Sequence, residues 1–100
     1  GGGNISMYTR IANDIARMLE KKRQDYGDPD HTIGRFGLMG IAVRLMDKVE
    51  RLVNLSQNGR IANFESIEDT LRDIAGYAIL GLELLEKSEA RETKRGELDE

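Results

Sequence analysis

One hundred residues bound the chain to a single domain, and an apolar share of 39% is enough for a small core. The absence of cysteine excludes disulfides, thiolate nucleophiles and cysteine metal sites, and with a single histidine it argues against zinc. A net charge of −3 from 15 basic and 18 acidic residues leaves no stretch basic enough to expect duplex nucleic acid as a partner.

No apolar run approaches the roughly 18 to 20 residues that span a bilayer, and no secretory leader opens the chain, so a cytoplasmic protein without a membrane partner is expected. A domain this short buries only about 60 to 70% of its surface on folding, which makes a homo-oligomer the expected state. Residues 1–6, GGGNIS, read as a cloning remnant ahead of a native start at Met7, residues 7–87 as one all-α domain, and residues 88–100 as a charged tail, frayed or disordered.

From Met7 to about Gln24, Ile11, Ile15, Met18 and Leu19 recur with helical period, while Arg10, Asp14, Arg17, Lys21 and Lys22 take the outer side. The helix runs into DYGDPD, where Gly27 and Pro29 stop it and Asp30 or Thr32 can cap the next helix. Residues 33–40, IGRFGLMG, are either a short helix or an irregular approach to the next long one. Gly34, Gly37 and Gly40 permit close approach of backbone or ligand, but the P-loop spacing and its Lys-Ser or Lys-Thr ending are missing.

A second helix is expected over residues 41–55, with Ile41, Leu45, Val49 and Leu52 as its core stripe and Ala42, Met46 and Val53 widening it. Arg44, Asp47, Lys48 and Arg51 form a charged stripe that intrahelical ion pairs alone can explain. Asn58-Gly59 marks the turn of the loop after it. The third helix, residues 65–85, carries Ile67, Leu71, Ile74, Ala78, Leu82 and Leu85 as an apolar stripe, with Gly76 and Gly81 allowing close packing. Ser66 with Asp69 resembles a capping box, which accounts for acidic residues at a helix start. Asp73 lies too far along for that explanation. The fold expected is therefore an all-α bundle of three long helices, with a short fourth as the alternative reading of residues 33–40, completed by oligomerisation.

Glu65, Asp69 and Asp73 stand at i, i+4 and i+8, and stacked carboxylates repel unless a cation or a basic partner sits among them. Pairing the second and third helices antiparallel would bring Asp47 and Glu50 opposite them. Oxygen-only ligands of this kind suit Mg²⁺ or Mn²⁺, and Arg44, Lys48 and Arg51 would add positive charge for a polyphosphate. Di-iron chemistry wants Glu-x-x-His spacing, which is absent, and with His31 alone a serine triad has no base of distinctive spacing.

The successive motifs KKRQDYGD (residues 21–28), VRLMDKVERLVNL (43–55) and ESIEDTLRDIAGYAILGLELL (65–85) resemble the nucleotide modification associated domain family of phages and bacteria, itself similar to the MazG-like all-α nucleoside triphosphate pyrophosphatases. The resemblance implies a nucleotide ligand, host cytoplasm for a phage-borne copy, and Mg²⁺ held by acidic pairs on two adjacent helices while water attacks a triphosphate. Carried over by position, Asp47 and Glu50 match the first pair, and Asp69 with Asp73 the second, with Glu65 one turn earlier. Asp47, Glu50 and Asp73 are then the catalytic candidates. The departures are an aspartate first in Asp47-Lys-Val-Glu50 and a spacing of four between Asp69 and Asp73. Lys22, Asp25 and Tyr26 would contribute polar contacts and a stacking ring at the rim, Tyr26 being equally suited to packing.

Three readings are open on these residues. The first is a metal-dependent nucleotide pyrophosphohydrolase, the second a non-catalytic nucleotide-binding protein serving as a modification accessory or a sponge for a signalling nucleotide. The third is a helical interaction module in which Arg44, Lys48 or Arg51 pairs with the carboxylates across the helix interface and no ligand is needed.

Overall fold

The computed structural model describes residues 5–27, 35–59 and 63–98, with side chains apart from those of residues 26 and 90–98. All regular structure among them is helical: α1 spans Met7–Tyr26, α2 Leu38–Gln57 and α3 Phe64–Leu98. Ser6, outside the expected domain, caps α1 by accepting a hydrogen bond from the Thr9 backbone N–H at 3.1 Å. Gly27 ends it at φ +80°, a backbone conformation that glycine adopts without a Cβ penalty, and donates its N–H to the Arg23 carbonyl. Arg35 and Phe36 are helical and Gly37, at φ +59°, turns the chain into α2; the rest of the possible short helix lies outside the described residues.

α2 packs along α3, α1 packs less extensively on α3, and among the described residues α1 and α2 do not pack together. Gly81 of α3 faces Ile41 and Leu38 near the start of α2, while Asp73 meets Lys48 two turns further on. Numbers rise on one helix as they fall on the other, so the two form an antiparallel hairpin. Its turn is closed by Asn63, whose backbone N–H and side-chain amide both donate to the Gly59 carbonyl, at 3.1 and 3.0 Å. By contrast, Leu19 and Met18 sit at Gly76 and Arg23 at Glu83, so α1 runs parallel to α3. A Cβ on Gly76 would stand 3.3 Å from Leu19 Cδ2, which is why α1 can approach only where that side chain is missing.

Two starts and ends differ from the sequence expectation. α3 begins at Phe64, so Ser66 is already inside the helix and no Ser66–Asp69 capping box forms; only Glu65 remains as a first-turn acidic residue. At the other end α3 stays helical to Leu98, well past the end of its apolar stripe.

The core is small. Ile15 and Ile41 are the buried apolar side chains among the described residues, joined by Thr70, whose hydroxyl is satisfied by the Ser66 carbonyl at 2.7 Å. Leu71, Leu82, Leu85 and Val49, expected in the core stripes, are about half exposed or more. The reason lies in a double pattern. On α3, the partly or wholly buried Ile67, Thr70, Ile74, Tyr77, Gly81 and Leu84 face the body of the molecule, and a second apolar stripe lies one residue behind: Leu71, Ala75, Ala78, Leu82 and Leu85. α2 repeats this, with Ile41, Lys48 and Leu52 on the α3 side and Ala42, Val49 and Val53 behind them. One residue turns a helix by about 100°, so each second stripe stands to the side of the seam. In an antiparallel pair the same sense of rotation on both helices leads to the same side of the hairpin.

Candidate functional site

The residues that precede the seam positions turn the other way. On α2 these include Arg44, Asp47 and Arg51, and on α3 Asp69 and Asp73, so the charged residues gather on the side of the hairpin opposite the apolar stripes. Gly76 and Glu83 precede Tyr77 and Leu84, which puts α1 on this charged side as well, further along α3. Among the described residues, residues 44–51 of α2 and 65–73 of α3 form this side of the hairpin, with Asp47, Arg51, Glu65 and Asp69 exposed on it.

Its centre is an ion pair. Lys48 Nζ lies 2.9 Å from Asp73 Oδ2, each side chain keeping about 30% of its surface exposed. This cross-helix pair is of the kind expected from the third sequence reading, and it meets the charge of the one carboxylate that capping could not explain. Asp69 and Glu65 are exposed. An i, i+4, i+8 row slants around a helix by about 40° per step, so each earlier carboxylate stands further from α2. Asp47 is exposed beside Lys48, and Glu50, about 200° round the helix from Lys48, lies on the side of α2 away from α3. Among the described residues no three His, Cys, Asp or Glu side chains come close enough together to hold a metal ion. Among the described residues the candidate carboxylates are therefore not gathered into a Mg²⁺ cage.

Among the basic residues, Arg44 is half-buried and Arg51 exposed, both on the Lys48 side of α2. Lys22 and Asp25 are exposed at the end of α1, and the Tyr26 side chain is not among those described. Arg23, the residue after Lys22, anchors this end of α1 at Glu83, which stands about 15 Å along the α3 axis from Asp73. Within one chain the α1 motif and the carboxylate row are thus separate.

Arg23 and Glu83 were not singled out by the sequence, where Arg23 is one of three consecutive basic residues and Glu83 one of many helix-surface acids. They form a bidentate pair at 2.9 and 2.6 Å, with Lys87 Nζ at 3.8 Å from the same carboxylate. The Arg23 hydrogen bonds, and then its charge and that of Lys87, hold the Glu83 carboxyl below its usual value of 4.5 against the opposing effect of burial. A carboxylate depressed in the folded state stabilises it above the unfolded pKa and loses that contribution as pH falls through the folded one. Docking of α1 is accordingly expected to be complete at neutral pH and to loosen in acid, below the ordinary glutamate range. Amide exchange along α1 as a function of pH reads this directly, and in Arg23→Met the acid dependence is expected to shrink to the smaller part that Lys87 supplies.

The arrangement offers an ammonium and a guanidinium, Lys48 and Arg51, on an open surface, with Asp73 setting the position of the first. Both side chains keep part of their surface open to solvent, so an incoming anion can reach Lys48. Compared with protein-family models, curated proteins and solved structures, the chain matches none.

Proposed function

We propose that the protein is a nucleotide-handling module that acts as a homo-oligomer and receives the phosphates of a nucleotide on the charged side of the α2–α3 hairpin. The observation that carries this reading is the partly exposed Lys48–Asp73 pair, taken together with the resemblance of the three motifs to nucleotide-handling families. Lys48 and Arg51 are the phosphate contacts, and Asp73 is the residue that positions Lys48. Stoichiometric binding is the first form of the function, since Lys48 and Arg51 put two cations on the charged side of the hairpin and, among the described residues, no three carboxylates gather there.

Calorimetry with nucleoside triphosphates, with and without Mg²⁺, followed by chromatography of the recovered ligand, tests it. Losing one charge-assisted hydrogen bond to phosphate costs about 1.5 to 3 kcal/mol, so Lys48→Met is expected to weaken binding by about ten- to a hundredfold. Complete indifference to nucleotides and metals would leave the interaction module in its place.

One observation favours keeping hydrolysis as the second form. Asp47, Glu50, Glu65 and Asp69 are exposed and enter no ion pair among the described residues. They are therefore available to Mg²⁺ or Mn²⁺ once a bound polyphosphate or a second copy adds oxygens. Recovery of monophosphate and pyrophosphate, lost in Asp73→Asn, would establish this form over simple binding.

A further inference from the structure

Lys48 and Asp73 find each other because neither finds an opposite charge one turn away on its own helix. On α2 the residues one turn to either side of Lys48 are Arg44, Leu45, Arg51 and Leu52. On α3 those one turn to either side of Asp73 are Asp69, Thr70, Gly76 and Tyr77. The intrahelical pairs that settle charge elsewhere, such as Glu68 with Arg72, are therefore out of reach for both. Their counter-charges come across the hairpin instead, at 2.9 Å.

Arg44, Lys48 and Arg51 succeed one another at steps of four and three, so they make a row of cations along α2 with Lys48 in the middle. The Asp73 carboxylate lies against that middle cation. It thus occupies the place that an oxyanion drawn to the row would take. Lys48 keeps 30% and Asp73 29% of its side-chain surface exposed, so solvent and small anions reach the pair from outside.

We infer that Asp73 is a built-in competitor of the ligand: its carboxylate stands in for a phosphate at Lys48 and makes the ligand-free site self-inhibited. The inference rests on the nucleotide reading and adds a regulating contact to it. An ammonium has three donors, so phosphate and carboxylate can share Lys48, but the two anions then stand about 5 Å apart and repel. If the carboxylate turns aside instead, a partly buried charge loses its partner. Both routes weaken the binding of phosphate relative to a site without the carboxylate. Asparagine at this position keeps the shape and a carbonyl oxygen that accepts from Lys48, and removes the charge. Asp73→Asn is therefore expected to bind phosphate about tenfold or more tightly than the wild type, the opposite sign from its expected effect on hydrolysis.

Inorganic tripolyphosphate, titrated with a chelator present, is the probe. Calorimetry follows the tighter binders and amide chemical shifts the weaker ones, in the wild type, Asp73→Asn, Lys48→Met and the double variant. The gain in Asp73→Asn is expected to disappear when Lys48 is methionine, so that the double variant binds no better than Lys48→Met alone. Asp73→Ser, which also drops the charge, is expected to agree in sign, and thermal unfolding checks that each variant is folded. Equal or weaker binding by the folded neutral variants would overturn the inference and leave the nucleotide reading standing. A gain of the same size in the Lys48→Met background would overturn it as well, because Asp73 would then act through the general field and not through Lys48. If neither tripolyphosphate nor a nucleoside triphosphate binds any of the proteins, the nucleotide reading fails and the inference with it.

Discussion

Shortening Ile41 to alanine is expected to lower the free energy of unfolding by about 2 to 5 kcal/mol, read as a lower urea midpoint at unchanged slope. Ile41 is 2% exposed and its Cγ2 and Cδ1 both lie over Gly81. Removing those methyls opens a gap between the two helices, and neighbouring backbone cannot move in to fill it without shifting them. A domain of this size has about 5 to 15 kcal/mol in all, so the change removes a large part of it. Alanine at exposed Val43 is expected to stay within about 0.5 kcal/mol, which separates the effect of burial from that of apolar character.

Gly81 makes the complementary test from the other helix. A Cβ there would stand 3.7 Å from Ile41 Cγ2 and Cδ1 and 3.8 Å from Leu38 Cδ1, ordinary contact distances. Gly81→Ala is therefore expected to stabilise the protein by up to about 1 kcal/mol, because alanine suits a helix interior better than glycine. Gly81→Leu is expected to cost about 1 to 3 kcal/mol, since the longer side chain has only Ile41 and Leu38 to displace. Thermal unfolding of the two variants beside the wild type reads both signs. Equal destabilisation by alanine and leucine would mean that the helices lie closer than these distances.

The sequence made the helices legible because their apolar residues recur at three and four, and it made the close-packing role of Gly76 and Gly81 legible because glycine has no other reason to persist inside a helix. Periodicity could not separate two apolar stripes about 100° apart. Leu71 and Leu82 therefore read as core together with Ile67 and Ile74, although only the latter two turn inward in one chain. Helix ends were less legible: Ser66 has the residue type of a cap, but the chain enters the helix two residues earlier, with Asn63 tied back to Gly59. At the candidate site, the exceptional status of Asp73 was visible from its distance to the helix start. That its partner is Lys48 depends on the register between two helices, and the Arg23–Glu83 clamp on the docking of a third. Neither is a local property of sequence.

The attachment of α1 bears on cooperativity. It is held along its second half, by Leu19 at Gly76 and Arg23 at Glu83, whereas Met7, Tyr8 and Ile11 are exposed. An isolated helix shorter than about 12 to 15 residues is marginal in water, so the turns ahead of Ile15 persist only as an extension of the docked half. The two halves of α1 are therefore expected to differ in protection, amide exchange being faster ahead of Ile15 than beside Leu19 and Arg23.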